Sequence, residues 1–275
     1  MLLKPNTITL TLLLLCCAAP ARAQRTHSFS LGTGTIYYYG DLTDRFNNSL
    51  LRPSGSITYS RYIMPTVSFR VGAAVGEIGA TDAMATADPR RVRNLHFRSP
   101  LMELSGVLVY EILRDRNFGT WAGKPHFSPL IFGGVNIFRF NPKALYNGEW
   151  VPLQPLGTEG QFIPGHQPGP YMRIQAGLPF GGGFSLRLAE YSGLSFEIGY
   201  RLTFTDYLDD VSTVYPDFEA LAQQENGALA ITLSERSLDN RFGPGEIRGN
   251  SGANDGYFFA MVSVVYYLNR FATRN

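Results

Sequence analysis

Cysteine is almost missing from this chain of 275 residues; both copies, Cys16 and Cys17, lie within the first 23 positions. That stretch places Lys4 before an apolar run, "ITLTLLLLCCAAP", and then "ARA" ahead of Gln24. A basic start, a short apolar core and a small-residue site predict a cleaved signal peptide over 1–23, leaving 24–275 as a single exported domain. A lipid attached at Cys16 or Cys17 is the alternative, disfavoured because Leu15 and Cys16 precede them where a small residue is usual. The mature chain would then contain no thiol, and no disulfide framework holds it, although an oxidising compartment would permit one.

An excess of one charge sign is missing too. Losing Lys4 and Arg22 takes Lys+Arg from 24 to 22 against 22 acids, so no basic stripe supports nucleic-acid binding. Long apolar runs are absent beyond the signal peptide. The longest, "YFFAMVSVVYYL" at 257–268, is shorter than the roughly 20 residues a helical membrane span requires. No Ser/Pro linker or charge block divides the chain.

Histidine is scarce, with four copies at His27, His96, His126 and His166. None lies beside an Asp and a Ser at a spacing that suggests a catalytic triad, so no enzyme activity and no cofactor are expected. Asp206, Asp209, Asp210 and Asp217 could supply oxygen ligands to calcium. Their spacing is not that of an EF-hand loop, however, and they read as solvated acids of an external loop. "GTEG" and "GGG" open no helix after a buried strand and are not phosphate loops.

What the chain does have is glycine, with 29 copies, tyrosine, with 15, and a period of two. Leu194, Phe196, Ile198, Tyr200, Leu202 and Phe204 share one parity; Ser195, Glu197, Arg201 and Thr203 share the other. The same alternation runs through 171–188, 101–112 and 67–75. Apolar spacing of two indicates strands rather than helices. Alternation alone fits a soluble sandwich or a membrane barrel. Strand lengths well above the usual 5 or 6 residues, short turns alternating with long loops, and aromatic residues near strand ends favour the barrel.

The expected fold is therefore all-β: an antiparallel transmembrane β-barrel of about eight strands, ten being possible. The strands fall near 28–40, 54–63, 67–78, 97–112, 127–140, 171–188, 194–206 and 255–270. The fifth and eighth are the least regular, with apolar residues on both parities. Short turns would face the periplasm and long loops, near 41–53, 79–96, 142–170 and 206–253, the exterior. The apolar parity of 194–204 would meet outer-membrane lipid. The opposite parity predicts a lumen network of Arg70, Glu103, Glu111, Arg173, Arg187, Glu197 and Arg201, whose charges need one another as partners when buried.

Several stretches carry a resemblance. They are "YYYGDL", with Gly40 and Asp41; "RNLHFRSPLMELSG"; "FNPKALYNGEWVPLQPLGTEGQ", with Asn141, Pro142, Trp150, Glu159 and Gly160; "GYRLTFTDYLDDVSTVY", with Asp206, Tyr207, Asp209 and Asp210; and "NDGYFF", with Asn254, Asp255 and Gly256. Together, in this order, they resemble the PorG-like outer-membrane barrels of Bacteroidetes associated with the type IX secretion system. The resemblance implies a non-enzymatic part of a protein-export machine that contacts periplasmic ring proteins, PorK and PorN. It makes residues 24–28, the 114–125 turn, the 190–193 turn and the tail after Phe271 the docking candidates. The alternative is a passive small-solute pore or a structural barrel unrelated to secretion. The 142–161 stretch is expected to fold inward or cap the barrel, with Trp150 and Leu153 as anchors.

Overall fold

The structure is a computed structural model, and it describes residues 27–43, 45–86, 88–113 and 123–268. The expected signal peptide, most of the 114–125 turn and the chain after Leu268 lie outside them. Eight long strands form the wall: β1 (His27–Tyr39), β2 (Arg52–Met64), β3 (Val67–Thr81), β4 (His96–Glu111), β5 (His126–Phe140), β8 (Ile174–Arg187), β9 (Ser192–Thr203) and β10 (Gly256–Leu268). Two short strands, β6 (Lys143–Tyr146) and β7 (Glu149–Pro152), form a hairpin between β5 and β8.

Each wall strand pairs antiparallel with its neighbours. β1 pairs with β10, and the β3–β4 pairing completes the circle, so the sheet is a closed barrel of eight strands with two extra strands attached at Arg98↔Lys143. Closure leaves the wall without an edge. The wall strands are 12 to 16 residues long, more than the roughly 9 to 11 that a tilted membrane-spanning strand requires.

The tight connections, residues 65–66 and 188–191, sit at one end of the barrel, together with the first residues of β1. The long ones, residues 40–51, 82–95, 141–173 and 204–255, all sit at the other. The last of them carries two short helices, α2 (Phe218–Ala222) and α3 (Gly227–Ser234); α1 (Asp88–Arg93) lies in the second.

The alternation resolves as an apolar outside. Leu31, Ile57, Leu104, Val135 and Ile198 are exposed on the outer wall, Ile198 at 63% and Leu104 at 67%. Leu194, Phe196, Tyr200 and Leu202 share the outward parity of Ile198, while Ser195 and Glu197 point in. Phe204 is exposed just past the end of β9. Phe196 stacks on Phe184 across the β8–β9 pair, with ring centres 4.9 Å apart. An outward apolar band with an inward polar parity is the pattern of a barrel that stands in lipid.

The inner face is less uniform than its alternation suggests. Its lower and middle levels are polar, but towards the long-loop end Ile36, Ile78, Phe97, Leu101, Phe138, Phe140 and Phe259 form a buried apolar core. This explains why β5 and β10 carry apolar residues on both parities: their outer ends face lipid on one side and this core on the other. In β8, Gly181 and Gly183 face inward, and a Cβ on either would lie within 2.2 Å of the backbone of β9. Only glycine lets the two strands approach so closely there.

Candidate functional site

The lumen is filled by paired side chains. Arg70 on β3 reaches Glu197 on β9 at 2.6 Å, and Ser195 donates to the same carboxylate at 2.6 Å. One level nearer the loops, Arg201 contacts Glu103 at 3.1 Å. The Tyr257 hydroxyl donates to Glu103 at 2.9 Å, and Asn136 donates to that hydroxyl at 3.1 Å. These groups span the barrel from wall to wall. Between them remain cavities of about 80 and 30 Å³, which an eight-stranded barrel filled by its own side chains should have.

Four of the seven expected lumen charges thus meet as two ion pairs. Glu111 accepts a hydrogen bond from Tyr62 near the short-turn end. Arg187 donates to the Glu190 carbonyl at 2.8 Å, and its guanidinium lies 5.0 Å from the Tyr267 ring centre. Arg173 stands before the first residue of β8, where it donates to Asn141 Oδ1 at 3.1 Å. It belongs to the rim rather than the lumen.

Above the apolar core the four long loops lock into a lid. At its centre is Arg248, 2% exposed. Its guanidinium donates to Glu159 at 2.9 Å, to the Asp210 carbonyl at 2.6 Å and to the Ser234 carbonyl at 3.4 Å. Glu159 also accepts the backbone amides of Ser212 and Thr213, at 2.9 and 3.0 Å, and the Tyr207 hydroxyl at 3.2 Å. A second buried pair joins Arg93 to Asp82, with two contacts of 2.8 Å, and Arg93 reaches onward to the carbonyls of Arg248 and Asp41. All four loops therefore contribute, and in these two pairs each buried charge has an opposite partner with further hydrogen bonds.

The lid is fastened to the barrel through Tyr38, at the long-loop end of β1. Its hydroxyl lies 2.6 Å from Asp209 and 2.9 Å from Asp255. One hydroxyl carries one proton, so the second contact requires a proton on one of the carboxyls. Burial, with repulsion from Asp41 on Asp209 and from Asp209 and Asp206 on Asp255, pushes the pKa of both acids well up. A continuous aromatic stack adds a second tie, with Tyr171 lying 6.0 Å from Phe140 on β5 and 4.7 Å from Tyr207 in the lid. Gly40 is required here because a Cβ would fall 1.8 Å from Asp255 Oδ1 and 2.1 Å from the Tyr38 hydroxyl.

The acids after β9 are consequently not the solvated loop residues that the sequence suggests. Asp206, Asp209 and Asp210 are all buried. Burial raises Asp210 to about 6 against the pull of Arg248, and Thr158 and Tyr171 donate to its carboxylate. Both oxygens of Asp206 are buried without a hydrogen-bond partner, and burial pushes its pKa up to about 8. Asp217, by contrast, caps α2, accepting from the amides of Glu219 and Ala220 at 2.9 and 3.2 Å. No group of His, Cys, Asp or Glu fit to hold a metal ion occurs among the described residues.

The remaining motif residues surround the same lid. Asp41 accepts the Asn250 amide at 2.7 Å. The Pro142 carbonyl accepts the Leu153 amide at 2.9 Å, and Gly160 donates to the Gly157 carbonyl at 2.8 Å. Trp150 lies on the outer hairpin, 3.9 Å from the Arg98 guanidinium, while Leu153 is buried with Ala144, Leu156, Leu221, Ala230 and Leu233. Gly256 packs against the Tyr200 hydroxyl, and Asn254 is exposed. The histidines are dispersed. His27 contacts Tyr59 at 2.5 Å, His96 accepts the Leu145 amide at 3.0 Å, His126 contacts the Leu113 carbonyl at 3.3 Å, and His166 lies in the third long loop. Sequence reasoning missed Asp82, Arg93 and Arg248, which no local pattern marks. It also missed the hairpin that "YNGE" signals as an Asn-Gly turn, with Asn147 and Gly148 at φ 49° and 84°.

Solved outer-membrane barrels have a similar architecture. The N-terminal β-barrel domain of Pseudomonas aeruginosa OprF is 8% identical and aligns over 90% of this chain and 98% of its own, with a TM-score of 0.37. Neisserial surface protein A is 9% identical over 89% and 97%, with a TM-score of 0.42. OprG from Pseudomonas aeruginosa is 10% identical over 90% and 97%, with a TM-score of 0.41. No curated protein resembles the sequence closely enough to count as a match. Residues 6–152, more than half of the chain, match one family, and the protein belongs to it: the domain of unknown function DUF6089.

Proposed function

We propose that this protein is a sealed, non-enzymatic outer-membrane barrel that serves as a structural and interaction component of a type IX-like protein secretion machine. The observation that carries the reading is the lid. Four external loops are tied to one another and to β1 through Arg248, Arg93, Glu159, Asp82 and Tyr38. A barrel closed this way presents a fixed outer surface instead of a passage. The passive-pore alternative is disfavoured by the wall-to-wall pairs Arg70–Glu197 and Arg201–Glu103.

The secretion assignment rests on the resemblance. Of the residues that carry it, Gly40, Asp41, Glu159, Gly160, Asp206, Tyr207, Asp209, Asp210 and Asp255 build or abut the lid, whereas Trp150 lies on the outer hairpin and Asn254 is exposed. Outer-membrane lipid would surround the wall, with Leu194, Phe196, Ile198, Tyr200, Leu202 and Phe204 facing it. Ring proteins of the PorK and PorN kind would dock at the short-turn end, where the 188–191 turn is the described part. Deletion of the gene should lower export of the machine's cargo, and a photocrosslinker at Glu190 should capture a periplasmic ring protein. Normal export after a clean deletion would refute the secretion role and leave the sealed barrel standing.

A further inference from the structure

On the outer side of the lid, the first, second and fourth long loops border an open cavity of about 250 Å³. Arg93, Arg248 and Gly249 contribute to its lining, and its other walls come from Asp41, Pro89, Arg90, Phe242, Ile247 and Asn250. Two of its three guanidinium groups are already engaged, Arg93 by Asp82 and Arg248 by Glu159. In the third, Arg90 Nη1 is buried and has no hydrogen-bond partner. A buried donor without an acceptor is costly to maintain, and a cavity beside it offers room for one.

Asp41 lines the same cavity, its carboxyl attracted by Arg93 and, after it, by Arg90. Its Oδ2 is directed to the Asn250 amide at 2.7 Å. The cavity wall thus carries one carboxylate, Asp41, and three guanidinium groups, of which Arg93 and Arg248 already hold carboxylates of their own. Apolar surface completes it, from Pro89, Phe242 and Ile247, the last 79% exposed. A simple anion would meet Arg90 but be repelled by Asp41. A simple amine would meet Asp41 but be repelled by Arg90. A small molecule carrying both charges satisfies both walls, and an apolar substituent would cover Phe242 and Ile247.

We propose that this cavity binds a free α-amino acid with an apolar side chain, its carboxylate on Arg90 and its ammonium group towards Asp41. The inference is independent of the secretion reading, since it depends on the outer loops alone. Calorimetric titration of the purified full chain in detergent micelles tests it with three probes: L-leucine, 4-methylpentanoate, which lacks the ammonium, and 3-methylbutylamine, which lacks the carboxylate. Leucine should bind, and each analogue should bind about tenfold more weakly or worse, the loss expected for one charge-assisted hydrogen bond. Arg90→Gln should weaken leucine by a similar factor, and limited proteolysis would verify that its lid is intact. Absence of leucine binding to the wild-type chain, equal binding of 4-methylpentanoate, or unchanged leucine binding to an intact R90Q protein would each overturn the proposal.

Discussion

Arg248 and Glu159 meet at 2.9 Å with both side chains shielded from water, 89 residues apart in the chain. Neither charge could remain buried without the other, because a lone buried charge is far costlier than a matched pair. The pair therefore joins the third and fourth long loops as a unit. Glu159→Gln should destabilise the lid by about 3–5 kcal/mol. The measurement is limited proteolysis within 236–247 combined with heat-modifiable migration on gels. Rapid loop cleavage from an otherwise folded barrel is expected. Adding Arg248→Met to Glu159→Leu should recover part of the loss, as coupled neighbours do.

Gly40→Ala tests how the lid is fastened to the wall. The new methyl group would enter the space between Asp255 and the Tyr38 hydroxyl, and overpacking of this kind costs about 1–3 kcal/mol. The same substitution at Gly55, where a Cβ would meet nothing nearer than 3.8 Å, should have little effect. Unfolding midpoints in urea would compare the two. Equal midpoints would remove Gly40 from the fastening.

The lid should respond to pH in the direction opposite to ordinary carboxylate networks. Asp206 has its folded pKa raised to about 8, against about 4 in an unfolded chain. The folded state therefore holds a proton that the unfolded chain releases. Stability from this group is complete below about pH 4 and falls as pH rises to about 8. Asp209 and Asp255 act in the same direction. Proteolytic resistance of the lid should decline between about pH 5 and 8, and Asp206→Asn should flatten the slope. Resistance that increases over that interval would contradict the burial assigned to these acids.

Much of the wall was legible in the sequence because lipid and lumen impose a strict two-residue period. Leu194 to Phe204 displayed it plainly, and β9 lies there. β5 and β10 were blurred, since Phe138, Phe140 and Phe259 point into an apolar upper core while Ile137 and Val262 point out. The lid was not legible. Asp206, Asp209 and Asp210 look solvated when read locally, and their burial depends on Tyr38, Thr158, Tyr171 and Arg248, contributed by distant segments. Leu208 and Val211, alternating with those acids, were the one local sign that the stretch had an inside.

The lumen pairs predict electrical silence. In planar bilayers the wild-type chain should give no steady unitary conductance, because Arg70–Glu197 and Arg201–Glu103 cross the bore beneath the lid. Regular current steps that scale with salt would restore the pore reading.

Hydrogen exchange on the protein reconstituted in lipid vesicles, read by mass spectrometry, tests the interlocked lid most directly. The amides of Leu208, Val211, Ser212 and Thr213 donate to Asp255, Asp209 and Glu159 at 2.8 to 3.0 Å. They should exchange as slowly as those of β9, with protection lost in the Glu159→Gln protein. Exchange in 206–215 as fast as in an unstructured peptide would show that the loops are open, and the sealed barrel would be wrong.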